Sequence, residues 1–218
     1  MKEKYFTAGN CSLKAREWRQ EISARPRFAF TPPSSALLII DVQDFFIRPD
    51  SHACLPAAQA ILGGLNRLAD LYKQHTLPVI FTRHLNTDED AGLMGRWWRD
   101  PIRRENPLSQ ITTQLETSDA LVIEKTQYDA FHRTTLESVL RERRVTQLVI
   151  GGVIANLCCE TTARSAFVRG FEVFFLADGT AAYTEQHHLA ALRNLAFGFA
   201  VLAGVEEIAE ALERPHAR

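Results

Sequence analysis

The stretch QLVIGGVIANLCCETTARSAFVRGFEVFFLA, residues 147–177, decides the fold class. It opens on a short run that is almost wholly apolar, Gln147–Gly151, and closes on another, Glu172–Ala177. Between them, Leu157–Arg169 carries apolar residues at spacings of three and four, the pattern of a helix with one buried face. A half-exposed strand would alternate in polarity, whereas a strand covered on both sides reads as a continuous apolar run. Strand, helix, strand in this order is the unit of a parallel sheet, because parallel neighbours need a long crossover between them.

Outward from this unit the same alternation recurs. Apolar runs lie at Ala36–Ile40, Pro78–Thr82, Ala120–Ile123 and Phe199–Leu202. Helical patterns fill the gaps at Ala57–Gln74, Thr134–Arg143 and Glu185–Leu195, the first with Ile61, Leu65, Leu68 and Leu71 on one stripe. The alternation predicts an α/β fold, a three-layer α/β/α domain over residues 36–212 with a parallel sheet in the middle. Residues 1–35 read as an irregular N-terminal arm ending in Thr31-Pro32-Pro33-Ser34-Ser35.

A chain of 218 residues, 46% hydrophobic and 23% charged, is large enough for one domain with a full core. The net charge of −1 supplies no field for a polyanion, so no nucleic-acid partner is expected. No apolar run approaches the ~18 residues of a bilayer span, so no membrane partner is expected either. The first residues carry charges without an apolar core, unlike a secretion signal, which favours a cytoplasmic protein. Cys11, Cys54, Cys158 and Cys159 form no C-x-x-C pair, which reads as reduced thiols and no structural zinc. The pair Gly151-Gly152 is not a G-x-G-x-x-G fingerprint, and no nucleotide cofactor is expected.

Ligands of open parallel sheets bind beyond the carboxyl ends of the strands, so the residues ending each apolar run are the candidates for chemistry. The first run ends in Asp41, the third in Lys125, and the fourth is followed within a few residues by Cys158. Singly, each has a structural use: an aspartate caps helices, a lysine is solvated, a cysteine packs as a small apolar group. Together they form an acid, a cation and a thiol at one sheet edge. Cys158 would be the nucleophile, with its thiolate favoured by the first turn of the helix Leu157–Arg169. Asp41 would take and return the proton, and Lys125 would hold Asp41 ionised. Phe46 and Tyr128, aromatic residues beside strand ends, are candidates for a substrate pocket.

These residues resemble the isochorismatase-like hydrolases over nearly everything from Ala36 to Ile208. The resemblance is carried by LLIIDVQDFF at the first run, by VIEKTQYDAFHRTTLE around Lys125, and by GVIANLCCETTA, residues 152–163. In amide-cleaving members the last segment holds the nucleophile, at the place of Cys158, and Asp41 and Lys125 match the other two catalytic positions. The resemblance implies six parallel strands in the order 3-2-1-4-5-6 and a homo-oligomer, a dimer or tetramer. It also implies a cis peptide between Val153 and Ile154, with the N–H groups of Ile154 and Cys158 as an oxyanion hole. His84 matches a substrate-contacting position, and Trp98, in the Arg- and Trp-rich segment Gly92–Pro107, matches an aromatic of the lid or pocket wall. That segment reads equally as a subunit contact.

The departures carry information too. Ala155, Cys159, Thr161 and Thr162 are closer to true isochorismatases, which cleave a vinyl ether and carry Gly at the place of Cys158. Those enzymes also have Tyr at Ile154 and Arg at Gln127, and both are missing here. Nicotinamidases bind zinc through an Asp and two His; Asp50 and His52 have ligand-like spacing and His84 follows the second run, but the D-W-H-P-x-x-H-type sequence is absent, so no metal is expected. The combined expectation is a cysteine-dependent hydrolase that cleaves a C–N bond in a small amide, ureido or carbamoyl substrate through a thioester. The alternatives are a vinyl-ether hydrolase using Asp41 as general acid, and a non-catalytic interaction module on the same fold.

Overall fold

The computed structural model describes residues 2–22 and 27–214. Six strands form one sheet: β1 (Ser35–Ile40), β2 (Val79–His84), β3 (Leu121–Lys125), β4 (Gln147–Val153), β5 (Glu172–Ala181) and β6 (Ala200–Ala203). Their spatial order is β3-β2-β1-β4-β5-β6 and every neighbouring pair is parallel. β1 and β4 are buried at every residue, which is why they read as unbroken apolar runs. β3 departs from that pattern. It lies at the sheet edge with Leu121 and Val122 exposed, and only Ile123 and Lys125 of the strand are buried.

Helices cover both faces. On one, α3 (Leu62–Gln74) sets Leu65, Leu68 and Leu71 toward the sheet, and α8 (Val205–Glu213) packs beside it. Fully burying a leucine of this kind is worth ~1.5–3 kcal/mol, so such a stripe dominates the placement of the helix. On the other face lie α6 (Glu160–Val168) and α7 (Glu185–Gly198), joined by an N-terminal helix α1 (Cys11–Ile22). α5 (Leu136–Glu142) is tied to the end of α6 through Arg169 and Glu137 at 3.1 Å. Two single-turn helices, α2 (Asp44–Ile47) and α4 (Met94–Trp97), lie in the loops after β1 and β2. Among the described residues, no helix is long and apolar enough to cross a membrane.

α1 is the main departure from the sequence reading, which took this arm as irregular. Its buried residues Cys11, Ala15 and Trp18 follow helical spacing, but two of the three are small and carry little apolar signal. Tertiary contact supplies the rest: Trp18 stacks on Phe6 with ring centroids 5.1 Å apart, and Phe6 is fully buried.

At the carboxyl end of β4 the backbone passes β1 very closely. Gly152 has φ +112, and a Cβ there would lie 2.2 Å from the carbonyl oxygen of Ile40. Only glycine fits this crossing. The close approach brings the segment that follows β4 against Asp41.

Candidate active site

Asp41 follows β1 directly, with φ at 50 in the left-handed region that aspartate tolerates better than most residues. Its N–H and its Oδ1 are both held by the hydroxyl of Thr82 on β2, at 3.1 and 2.7 Å. Oδ2 faces the ammonium of Lys125 at 2.7 Å, and both side chains are wholly buried. That approach is short but off-axis, leaving Oδ2 without a hydrogen-bond partner of good geometry. A lone pair on Oδ2 is therefore available for a proton.

Lys125 ends β3, in register with His84 at the end of β2. Besides Asp41, its Nζ reaches the carbonyl of Gln127 at 2.8 Å, His84 Nδ1 at 3.3 Å and Cys158 Sγ at 3.5 Å. Burial disfavours the ammonium, but Asp41 and Cys158 outweigh burial and the Lys125 pKa moves up. Lysine only donates, so His84 Nδ1 accepts, and the proton on Nε2 goes to Asn86 Oδ1 at 2.8 Å. The Asn86 amide is oriented in turn by Nδ2 donating to Thr126 O at 2.9 Å. Burial first, then the Lys125 charge, pulls the His84 pKa down to about 4, so this ring is neutral.

Cys158 lies in a π-helical turn, Ala155–Cys159, that joins β4 to α6. The peptide between Val153 and Ile154 is cis. The expectation of a resting thiolate is not met. α6 begins only at Glu160, and burial pushes the Cys158 thiol up to about 12. Lys125 opposes the shift while the Asp41 charge adds to it, and desolvation outweighs both. The thiol therefore rests neutral beside the Lys125 ammonium. Cys159, fully buried, is pushed well above the ordinary thiol range by desolvation and is a packing residue.

Cys158 forms part of the floor of a cavity of about 230 Å³, whose walls include Phe45, Phe46, His52, Ala53, His84, Trp98, Tyr128, Ile154, Leu157 and Tyr183. Asp41 and Lys125 stand behind the sulfur rather than in the wall. All four residues read from sequence as substrate contacts, Phe46, His84, Trp98 and Tyr128, border this space, as does Ile154. The segment after β2 supplies Met94, Trp98, Arg99, Asp100, Pro101 and Ile102, so it is a pocket wall. Trp98 Nε1 donates to the Tyr128 hydroxyl at 2.7 Å and pins the two aromatics together. Sequence reasoning missed Thr82, Asn86, Tyr183 and Gln43. Gln43 is fully buried, accepts the His84 N–H at 2.8 Å and donates to Ser109 O at 2.7 Å. A glutamine inside the first motif was its only trace.

The isochorismatase domain matches residues 35–207. The chain belongs to the isochorismatase family. It is a hydrolase of that family, 38% identical over 183 residues to Nicotinamidase 3 of Arabidopsis thaliana, a match covering 82% of this chain and 88% of that one. It is also 36% identical to Enterobactin synthase component B of Escherichia coli K12, over 78% of this chain and 60% of that protein. Among solved structures, a cysteine hydrolase from Pseudomonas syringae pv. phaseolicola superposes with a TM-score of 0.82 at 25% identity. That alignment covers 87% of this chain and 98% of the other.

One solved structure of the same fold, a pyrazinamidase of Pyrococcus horikoshii, is a complex with zinc, and the residues of this chain do not fit that metal. The Asp50 carboxylate is taken by Arg48 through two bonds, at 3.0 and 2.6 Å. Both ring nitrogens of His84 are engaged. Among the described residues no three His, Cys, Asp or Glu side chains converge on a common point.

Proposed function

We propose that this isochorismatase-family hydrolase cleaves the C–N bond of a small amide through a thioester on Cys158. The reading is carried by one observation: sulfur, ammonium and carboxylate are in sequential contact at the foot of a largely apolar cavity. Because the thiol rests protonated, attack and deprotonation occur together. The Sγ proton passes to Asp41 Oδ2 as Sγ bonds to the substrate carbonyl carbon. Lys125 holds the Asp41 carboxylate in place and offsets the partial negative charge that sulfur carries in the transition state. The N–H groups of Ile154 and Cys158 receive the oxyanion. The tetrahedral adduct collapses as the leaving nitrogen takes the proton from Asp41, releasing ammonia or an amine. Water, deprotonated by the same carboxylate, then hydrolyses the thioester and restores the thiol.

The cavity favours a flat, compact substrate, since Phe45, Phe46, Trp98, Tyr128 and Tyr183 all present aromatic rings along its wall. An indole N–H only donates, so the Tyr128 oxygen is the acceptor from Trp98 and its own hydrogen is free to point at the substrate. An acceptor atom on the substrate, away from the scissile carbonyl, completes that bond. Nicotinamide has this shape and a ring nitrogen, and the 38% identity to a protein named for nicotinamide hydrolysis supports it as the first compound to assay.

Turnover of nicotinamide and related amides, with mass spectrometry of quenched enzyme, tests the reading. An acyl adduct on Cys158 and a loss of about 10⁴-fold or more in kcat for Cys158→Ala are expected. A second reading has one observation in its favour, the protonated resting thiol: ether cleavage with Asp41 as general acid and sulfur as a bystander. Under it Cys158→Ala keeps full activity on a vinyl ether such as isochorismate.

A further inference from the structure

Residues 2–5 precede the stretch matched by the isochorismatase domain, yet they reach the wall of the cavity. The Glu3 N–H donates to the carbonyl of Tyr183 at 2.9 Å, and the Glu3 carboxylate accepts the N–H of Glu185 at 2.9 Å. The Lys2 ammonium donates to the carbonyl of His52 and stands 5.4 Å from the centre of the Tyr183 ring. Tyr183 in turn donates its hydroxyl to Ala53 O at 3.2 Å. His52, Ala53 and Tyr183 are all cavity wall. Two loops distant in sequence, 51–54 and 182–184, are thus tied together through the first residues of the chain.

The anchor for this tie is buried. The Tyr5 hydroxyl accepts the Ala182 N–H at 2.7 Å and meets His188 Nδ1 at 3.1 Å. Thr180 donates its hydroxyl to Leu176 O at 2.8 Å, so at 2.9 Å its oxygen accepts from His188 Nε2. Nδ1 is then the acceptor and Tyr5 the donor, and every polar atom of the trio is used. Lys14 on α1 adds an ion pair to Glu185 at 2.6 Å.

We infer that residues 2–5 are a positioning brace that fixes the His52–Ala53 and Tyr183 wall, and so sets the size of group that reaches Cys158. This rests on the cavity being the substrate pocket. Glu3→Pro removes the N–H that holds Tyr183, whereas Glu3→Ala keeps it and loses only the carboxylate. Lys2→Met removes the tie to His52, and Lys2→Arg retains a donor. Amide hydrogen exchange at residues 51–54 and 182–184, measured on the full chain, is expected to speed up several-fold in Glu3→Pro and Lys2→Met. It is expected to stay near wild type in Lys2→Arg, with Glu3→Ala less affected than Glu3→Pro. The ratio of Cys158 alkylation rates for N-benzylmaleimide and iodoacetamide is expected to shift several-fold in the same two variants. Unchanged exchange in both loops of folded Glu3→Pro and Lys2→Met overturns the brace, whatever the thiol does. Faster exchange with an unchanged ratio overturns its control of access to Cys158. Absence of amide turnover by wild type, with these shifts present, counts against the catalytic reading alone.

Discussion

Tyr128 and Trp98 show how much chemistry one hydrogen bond can set. With Trp98 as the obligate donor, the Tyr128 hydroxyl becomes a directed donor into the pocket. Asn86 and His84, which also border the cavity, have already spent their hydrogen-bonding groups on each other and on Lys125 and Thr126. Tyr128→Phe is therefore expected to erase a preference for nicotinamide over benzamide in kcat/KM, a loss of about tenfold for one neutral hydrogen bond. Equal discrimination by wild type and variant would remove Tyr128 from substrate recognition. The positions of Asp41, Lys125 and Cys158 were legible because each follows or ends an apolar run. The protonation state of Cys158 was not legible, because it depends on complete burial beside Asp41, a property of the packed molecule.

The elements were legible wherever burial is two-sided and helices carry large apolar residues. β1, β4 and α3 belong to that class; the two strands agree with their expected ranges to within a few residues, whereas the helix expected from Ala57 begins at Leu62, after a 3-10 turn over Ala58–Ile61. α1 was not, since a stripe containing Cys11 and Ala15 is hard to tell from background, and the edge strand β3 alternates where continuous burial was expected. The joint between β4 and α6 was read as the start of a helix, whereas a π-helical turn carries Cys158 toward β1. Gly152 is what lets β4 come that near. Gly152→Ala would place a methyl 2.2 Å from Ile40 O at a φ of +112. The expected result is a destabilisation of more than ~4 kcal/mol in urea unfolding, or no soluble protein. A midpoint close to wild type would mean that the β1–β4 crossing is looser than described.

For the molecule as a whole, two buried neutral histidines link folding to pH. Burial lowers the pKa of His84 to about 4, with Lys125 adding to the effect, and that of His188 to about 3. Both fall below the ordinary value of 6.5. Above that value neither state binds the proton and their contribution to stability is complete. As the pH falls through 6.5 the unfolded chain takes up protons that the folded chain refuses, and stability drops. The slope approaches about 1.4 kcal/mol per pH unit for each histidine between roughly pH 6 and 4. Urea midpoints at pH 7, 6 and 5 should decline accordingly, and His188→Gln should remove about half of the slope while lowering stability at pH 7. An unaltered slope in that variant would contradict the buried, neutral state of His188.

The most direct test concerns the carboxylate that is proposed to receive the thiol proton. Asp41 has two opposed effects on Cys158: its charge raises the thiol pKa, and its Oδ2 can accept the proton during attack. Iodoacetamide alkylation of Cys158, followed by mass spectrometry in wild type and Asp41→Asn at pH 7, separates them. A working base predicts that the variant reacts more slowly, by about 10²-fold or more. A variant that reacts as fast as wild type, or faster, would show that Asp41 is only a charge near the sulfur, and the covalent mechanism would lose its base.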